Sequence, residues 1–458
     1  MKKAIYLFAS MFMLGATLNS CSDDDNNTPG PDPEPTVIEL TGELTTRTLT
    51  KDNKYLLKGQ VFVRSGQVLT IQPGTIIKGD KATKGTLIID RGGKIEANGT
   101  ASEPIVFTSA LTAGTRDRGD WGGLVILGNA NVNQTNPAIE GISPAAIFGG
   151  TNDADDSGTL RYVRVEFAGI ELTPNNETNS ITLGAVGSGT ELEYCQVSYG
   201  GDDGFEWFGG AVNGKYLVAF ACWDDSFDVD FGYTGKNQFG VEVRYPSFAD
   251  QSGSNSFECD NGPNDNVTTL LTTGVFSNFT CVGPISTTGQ SINANYQHSI
   301  DLRRRTAVTI ANSVFLGYPR GIRMNQQSVF DNYASGTGKV LNNILVAPLA
   351  TYSVGTGMTA TSANLGAWFT ATNTTITAPV ENQFAVLGIN SNVSFGTAVT
   401  TAYSANPSFA VTTGDLTSGA SFTDTTLSGL TPTTYRGGFD ATDWTDGWAS
   451  FLPNANAY

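Results

Sequence analysis

The chain predicts an all-β protein: a right-handed parallel β-helix, or β-solenoid, with a capping C-terminal region. Three observations carry that prediction. Composition favours strands, with 53 glycines in 458 residues, only 15% charged residues, and many Val, Ile, Thr, Phe and Tyr. No long segment keeps a helical period, whereas short apolar runs end in glycine turns. The chain also repeats itself. Residues 160–169 (LRYVRVEFAG) match residues 192–201 (LEYCQVSYGG) position for position, and the apolar positions alternate as on one face of a strand. One coil cannot bury its inward residues alone, but stacked coils bury a continuous column. The units vary in length, as coils with loop insertions do, whereas propeller blades keep a fixed length.

Taken in order, residues 1–21 (MKKAIYLFASMFMLGATLNSC) carry two lysines, a short apolar run and a small residue before Cys21. This is the pattern of an export signal rather than a membrane span. Residues 26–35 (NNTPGPDPEP) form a proline-rich polar tether that cannot bury a core. The expected organisation is a signal at 1–20, a tether at 21–36, a β-helix at 37–350, and further coils with a cap at 351–458. Residues 68–79 and 86–97 each read as strand, glycine turn, strand, and 104–109 and 121–128 add more strands. Residues 278–283, 312–317 and 342–347 align in a later register. Asn278, Asn312 and Asn342 are therefore expected to stack at one corner, with amides bonding up the column. Residues 365–370 read as a short helix, and the aromatics of 435–448 as cover for the solenoid's end.

The net charge of −17 excludes a basic nucleic-acid surface. Four cysteines of the body, Cys195, Cys222, Cys259 and Cys281, allow three disulfide connectivities, but Cys195 and Cys281 stand at apolar repeat positions. The single histidine, His298, excludes a zinc site built on several histidines and reads as a polar loop residue.

Residues 200–210 (GGDDGFEWFGG) raise the functional question. Residues 202–207 align with 224–229 and with 254–259. Phe205, Phe227 and Phe257 then stack inward, while Glu206, Asp228 and Glu258 point outward. Asp202, Asp203, Asp224, Asp225, Asp230 and Asp260 thicken the cluster. Like charges on adjacent strands repel, so a cation, facing bases or raised pKa values must compensate. Asp203, Glu206, Asp225 and Asp228 are the candidate ligands for Ca2+, which takes several carboxylate oxygens. Arg303, Arg304 and Arg305, and then Arg320 and Arg323, lie about one coil apart and are the candidate facing bases. Catalytic candidates are Asp202, Asp203, Asp224, Asp225 and Arg303. Ligand-binding candidates are Trp207, Trp223 and Tyr233, because sugars stack on exposed rings, with Arg304 and Arg323.

Residues 18–21 (LNSC) resemble a bacterial lipobox, which implies lipidation at Cys21 and a membrane anchor. The following SDDD is similar to the surface-export signal of Bacteroidota lipoproteins. Residues 86–109, 119–130 and 440–448 resemble β-helix lipoproteins of Bacteroidota, and the likeness covers most of the chain. It implies an outer-membrane, cell-surface protein, accessory to a TonB-dependent transporter and binding a glycan or other nutrient. Gly201-Asp202-Asp203 resembles a motif of polygalacturonase-type hydrolases, but their Asn-Thr-Asp, Gly-His-Gly and Arg-Ile-Lys segments are absent. Stacked acids with an arginine are similar to pectate-lyase-type sites. The leading expectation is non-catalytic binding; the alternatives are a polysaccharide lyase or hydrolase, and a structural or adhesive surface protein.

Overall fold

The computed structural model describes residues 36–174, 176–346, 350–377, 379–396 and 403–458. The expected signal, most of the tether and Cys21 lie outside the described residues. Among the described residues, twenty-six strands join one sheet system through parallel pairings, so the protein is an all-β parallel β-helix. The repeat holds residue for residue: Leu160 pairs with Leu192, Val163 with Cys195 and Val165 with Val197. One ladder descends through Thr86–Ile89, Gly123–Leu127, Ile181–Gly184, Phe205–Phe208, Phe227–Asp230, Phe257–Cys259, His298–Leu302, Arg320–Met324 and Ala350–Val354. The other two run through the two halves of longer strands such as Glu191–Ser198 and Asn213–Phe220.

Between those halves the chain turns a corner. Tyr162, Tyr194, Tyr216, Phe239, Asn278, Asn312 and Asn342 occupy it in register, all with φ between 49° and 63°. Left-handed backbone in bulky residues costs about 1–3 kcal/mol each and persists only where the surroundings enforce it. Here the rings of Tyr162, Tyr194, Tyr216 and Phe239 stack with successive centroids 4.4, 4.3 and 5.2 Å apart. The expected stacking of the asparagines holds, but their amides do not bond directly up the column: Asn312 Nδ2 donates to Ser277 Oγ (3.3 Å), which donates to Asn278 Oδ1 (3.0 Å). Asn278 and Asn312 donate to the C-terminal segment, at Thr433 Oγ1 (3.1 Å) and the Ser421 carbonyl (3.1 Å). The amide ladder stands one residue later: the Ser313 N–H donates to Asn343 Oδ1 (2.8 Å), and the Asn343 N–H and Nδ2 donate to Asn373 Oδ1 (2.9 and 3.0 Å).

The interior holds Ile, Leu and Val columns with Phe205, Phe227 and Phe257 stacked 5.9 and 5.0 Å apart. Cys195, Cys222, Cys259 and Cys281 are all buried free thiols. A second apolar layer lies outside the sheet. Val218, Phe220, Val241 and Val243 face outward and are covered by Phe384, Tyr403, Phe409, Phe439 and Phe451. The aromatics expected at the solenoid's end therefore lie along its flank, because that flank carries the apolar surface that needs cover. Trp448 meets Tyr162 and Tyr194 edge-on, and the Tyr458 hydroxyl donates to Glu166 at 2.7 Å. The short helix spans Ser362–Thr370, with Thr361 Oγ1 accepting the Asn364 N–H at its start. No helix among the described residues is long and apolar enough to cross a membrane.

Candidate functional site

The acidic repeat is a single outward column. Glu206 pairs with Asp228, Asp228 with Glu258, Glu258 with Asp301, and Asp301 with Arg323. Above them in the same column stand Thr182, Val125 and Ile88. The three aligned rungs thus gain a fourth acid, Asp301, that sequence reasoning missed, while Arg323, expected among the facing bases, stands next in the column and pairs on with Ser353. The signal was present: residues 256–259 (SFEC) and 299–302 (SIDL) share one pattern, but Ile300 replaces the diagnostic phenylalanine.

A second column begins three residues earlier on each coil, at Asp203, Asp225, Asn255 and His298. Asp203 Oδ1 accepts the Asp225 N–H at 2.8 Å, Asp225 Oδ1 accepts the Asn255 N–H, and Asn255 Oδ1 accepts the His298 N–H at 3.0 Å. Each side chain caps a buried amide of the next coil, so Asp203 and Asp225 have a structural task besides any chemistry. His298 is corrected from a loop residue to a buried strand residue, 3% exposed. Burial pushes its imidazole down to about 4, so it is neutral.

The charges of the stripe are handled in two ways. In the lower half, Arg303 meets Glu258 and, at 3.1 Å, Asp260. Arg304 meets Asp260 at 2.8 Å, and Arg323 grips Asp301 with both Nε and Nη2. Burial pushes Glu258 up to about 8 and Asp260 up to about 7, and Arg303 pulls both back. In the upper half, burial first and neighbouring carboxylates second raise Asp202, Asp203, Glu206, Asp225 and Asp228 well above the usual carboxylate range. Burial takes Asp224 up to about 6, against hydrogen bonds from the Ser252 and Ser254 hydroxyls. Asp228 Oδ1 is buried without a hydrogen-bond partner.

Three overlapping triads of carboxylates occur here: Asp202, Asp203 and Asp224; Asp203, Glu206 and Asp228; Asp225, Asp228 and Glu258. In each, one oxygen per residue lies within 4.8 Å of the others. Ca2+ bonds oxygen at roughly 2.4 Å, so two of its ligands stand at most about 4.8 Å apart. The all-oxygen donor set and the orphaned Asp228 oxygen therefore fit a hard cation.

The aromatic candidates are corrected. Trp207 and Tyr233 are 0% exposed and pack on each other inside the solenoid, 5.7 Å apart, so they offer no platform to a sugar. Trp207 is two residues from Phe205, and strand parity alone puts both inside. Trp223 is half-buried; its Nε1 donates to Asp250 Oδ1 (3.0 Å), and the Arg118 guanidinium lies 3.6 Å from its ring. Arg304 and Arg323 are committed to ion pairs. For Arg303, burial disfavours the charge, but Glu258 and Asp260 outweigh it and hold the guanidinium protonated.

A family model described as a pectate-lyase-like β-helix domain matches residues 42–391. The chain belongs to that family. No curated protein and no solved structure matches the chain. The pectate-lyase-like match contains the whole stripe, from Asp202 to Arg323, and ends before the 403–458 segment that straps the flank.

Proposed function

We propose that this pectate-lyase-like β-helix binds a carbohydrate without cleaving it, at a bacterial cell surface, through a cation held by the upper stripe. The observation that carries the reading is the set of overlapping carboxylate triads around the orphaned Asp228 oxygen. Ca2+ takes six to eight oxygens, so three carboxylate groups leave positions that sugar hydroxyls or carboxylates complete. When bound, the cation supplies positive charge to an otherwise acidic face. Asp203, Glu206 and Asp228 hold it, and Asn179 orients Glu206 by donating to its carboxylate. The lipobox-like residues 18–21 support anchoring through Cys21 in the outer membrane, and the Bacteroidota likeness supports partnership with a TonB-dependent transporter.

The competing reading is a hydrolase or lyase, favoured by closely spaced carboxylates with raised pKa values. Protein lacking residues 1–35, which leaves the compact unit Thr36–Tyr458 intact, is incubated with a polysaccharide panel with and without Ca2+. Retention that needs Ca2+, without chain cleavage, and that is lost in Asp228→Asn is the expected result. Cleavage abolished by Asp203→Asn establishes the enzyme instead. Neither retention nor cleavage leaves a structural or adhesive role.

A further inference from the structure

Beside the top of the stripe is a cavity of about 210 Å³. Two small hairpins contribute to it, Ala138–Ile139 with Ala146–Ile147 and Glu171–Thr173 with Asn176–Glu177. Glu140, Glu177, Asp202 and Glu206 supply carboxylates to its lining, Phe148, Phe208 and Phe231 supply rings, and Thr178, Asn179 and Thr182 add neutral polar groups. The Phe208 ring lies 6.1 Å from that of Phe148 and 5.2 Å from that of Phe231, so the three form one continuous wall. Phe208 and Phe231 remain partly exposed, and among the described residues no Lys, Arg or His lines the cavity.

A bare metal ion accounts for the acids but not for the rings, since a hard cation seeks oxygen. An organic ammonium accounts for both. Its three N–H donors suit several carboxylate oxygens, and its charge and C–H skeleton suit aromatic faces. The volume is below the roughly 300–1,000 Å³ of drug-sized sites, which limits the ligand to one small unit. We propose that this cavity binds a small primary amine, of the amino-sugar or alkyl-diamine type. The site stands on the cavity alone and not on glycan binding by the stripe. Because Glu206 belongs to both the cavity and a cation triad, amine and Ca2+ compete for it.

Calorimetric titration of protein 36–458 without Ca2+ tests this with glucosamine, its uncharged counterpart glucose, and 1,4-diaminobutane. Glucosamine or the diamine binds and glucose does not; which amine binds more tightly identifies the source. Glu177→Gln, on a hairpin outside the solenoid core, weakens amine binding about tenfold, and so does Phe208→Leu. Thermal melting confirms that both variants fold. Added Ca2+ weakens the amine. Glucose binding as tightly as glucosamine overturns the proposal, as does failure of both amines to bind the folded protein. Ca2+ titration of Glu177→Gln reads the stripe separately, so failure of the amine site leaves the stripe reading testable, and the reverse.

Discussion

Glu206 and Asp301 stand in one column of one ladder, three rungs apart. Asp301 is gripped by two nitrogens of Arg323, whereas Glu206 receives the neutral amide of Asn179. The lower half of the stripe therefore carries its counter-charge within the chain. The upper half must take a proton or a cation from solution. One register position on one fold is thus closed in one region and exchangeable in another, and the difference lies in which residue occupies the facing position.

The largest test of that contrast is pH. Carboxylates raised in the folded state hold protons that the unfolded chain has already released. Their stabilisation is complete below about pH 4 and is lost as pH rises through about 6 for Asp224 and, at the boundary between the halves where Arg303 only partly offsets burial, about 8 for Glu258. Each unit of rise is about 1.4 kcal/mol per group, and several groups contribute. Without Ca2+, the melting temperature is expected to fall steadily from about pH 5 to about pH 8. With Ca2+, which replaces those protons, the fall flattens. A flat profile in both conditions breaks the comparison.

Arg323→Met comes next. It leaves Asp301, 0% exposed at its side chain, without its partly exposed partner, and is expected to cost about 3 kcal/mol in urea denaturation, the low end for a buried charge left alone. Asp228→Asn, in the upper half, removes repulsion and leaves Ca2+-free stability unchanged or higher. It forfeits the gain from Ca2+, which at a hundred times Kd is about 2.7 kcal/mol for the wild type. Equal losses at the two sites show that the halves do not differ.

The smallest effect separates structure from charge at one residue. Asp225→Ala uncaps the Asn255 N–H and is expected to cost about 1–3 kcal/mol. Asp225→Asn keeps an acceptor, as Asn255 itself shows for His298, and should retain near-wild-type stability. A large loss in Asp225→Asn shows that the charge itself is needed there.

Much of this was legible. The alternation of Phe205, Glu206 and Trp207, with its echoes at Phe227 and Phe257, already gave the inward ring column and the outward acids. The same parity also placed Trp207 inside, against its reading as a binding residue. Asp301 was obscured because one substitution, Ile300 for phenylalanine, hid the rung. The covering role of Phe439 and Trp448 was legible but its place on the flank was not: Tyr403, Phe439 and Trp448 follow no period, because they fit grooves set by residues far away in the chain. The cavity was hidden for the same reason, since its wall joins residues from Ile139 to Phe231 across separate coils.

The two capping columns run in opposite senses. At Asp203, Asp225 and Asn255 the earlier coil accepts and the later coil donates. At Ser313, Asn343 and Asn373 the later coil accepts and the earlier donates. They act as a pair of opposed ratchet pawls. Peeling a coil from the N-terminal side strands the Asp225 amide, and peeling from the C-terminal side strands the Asn343 amide. Fraying that reaches either column must break a buried latch to go further, so the middle of the stack resists unzipping in both directions.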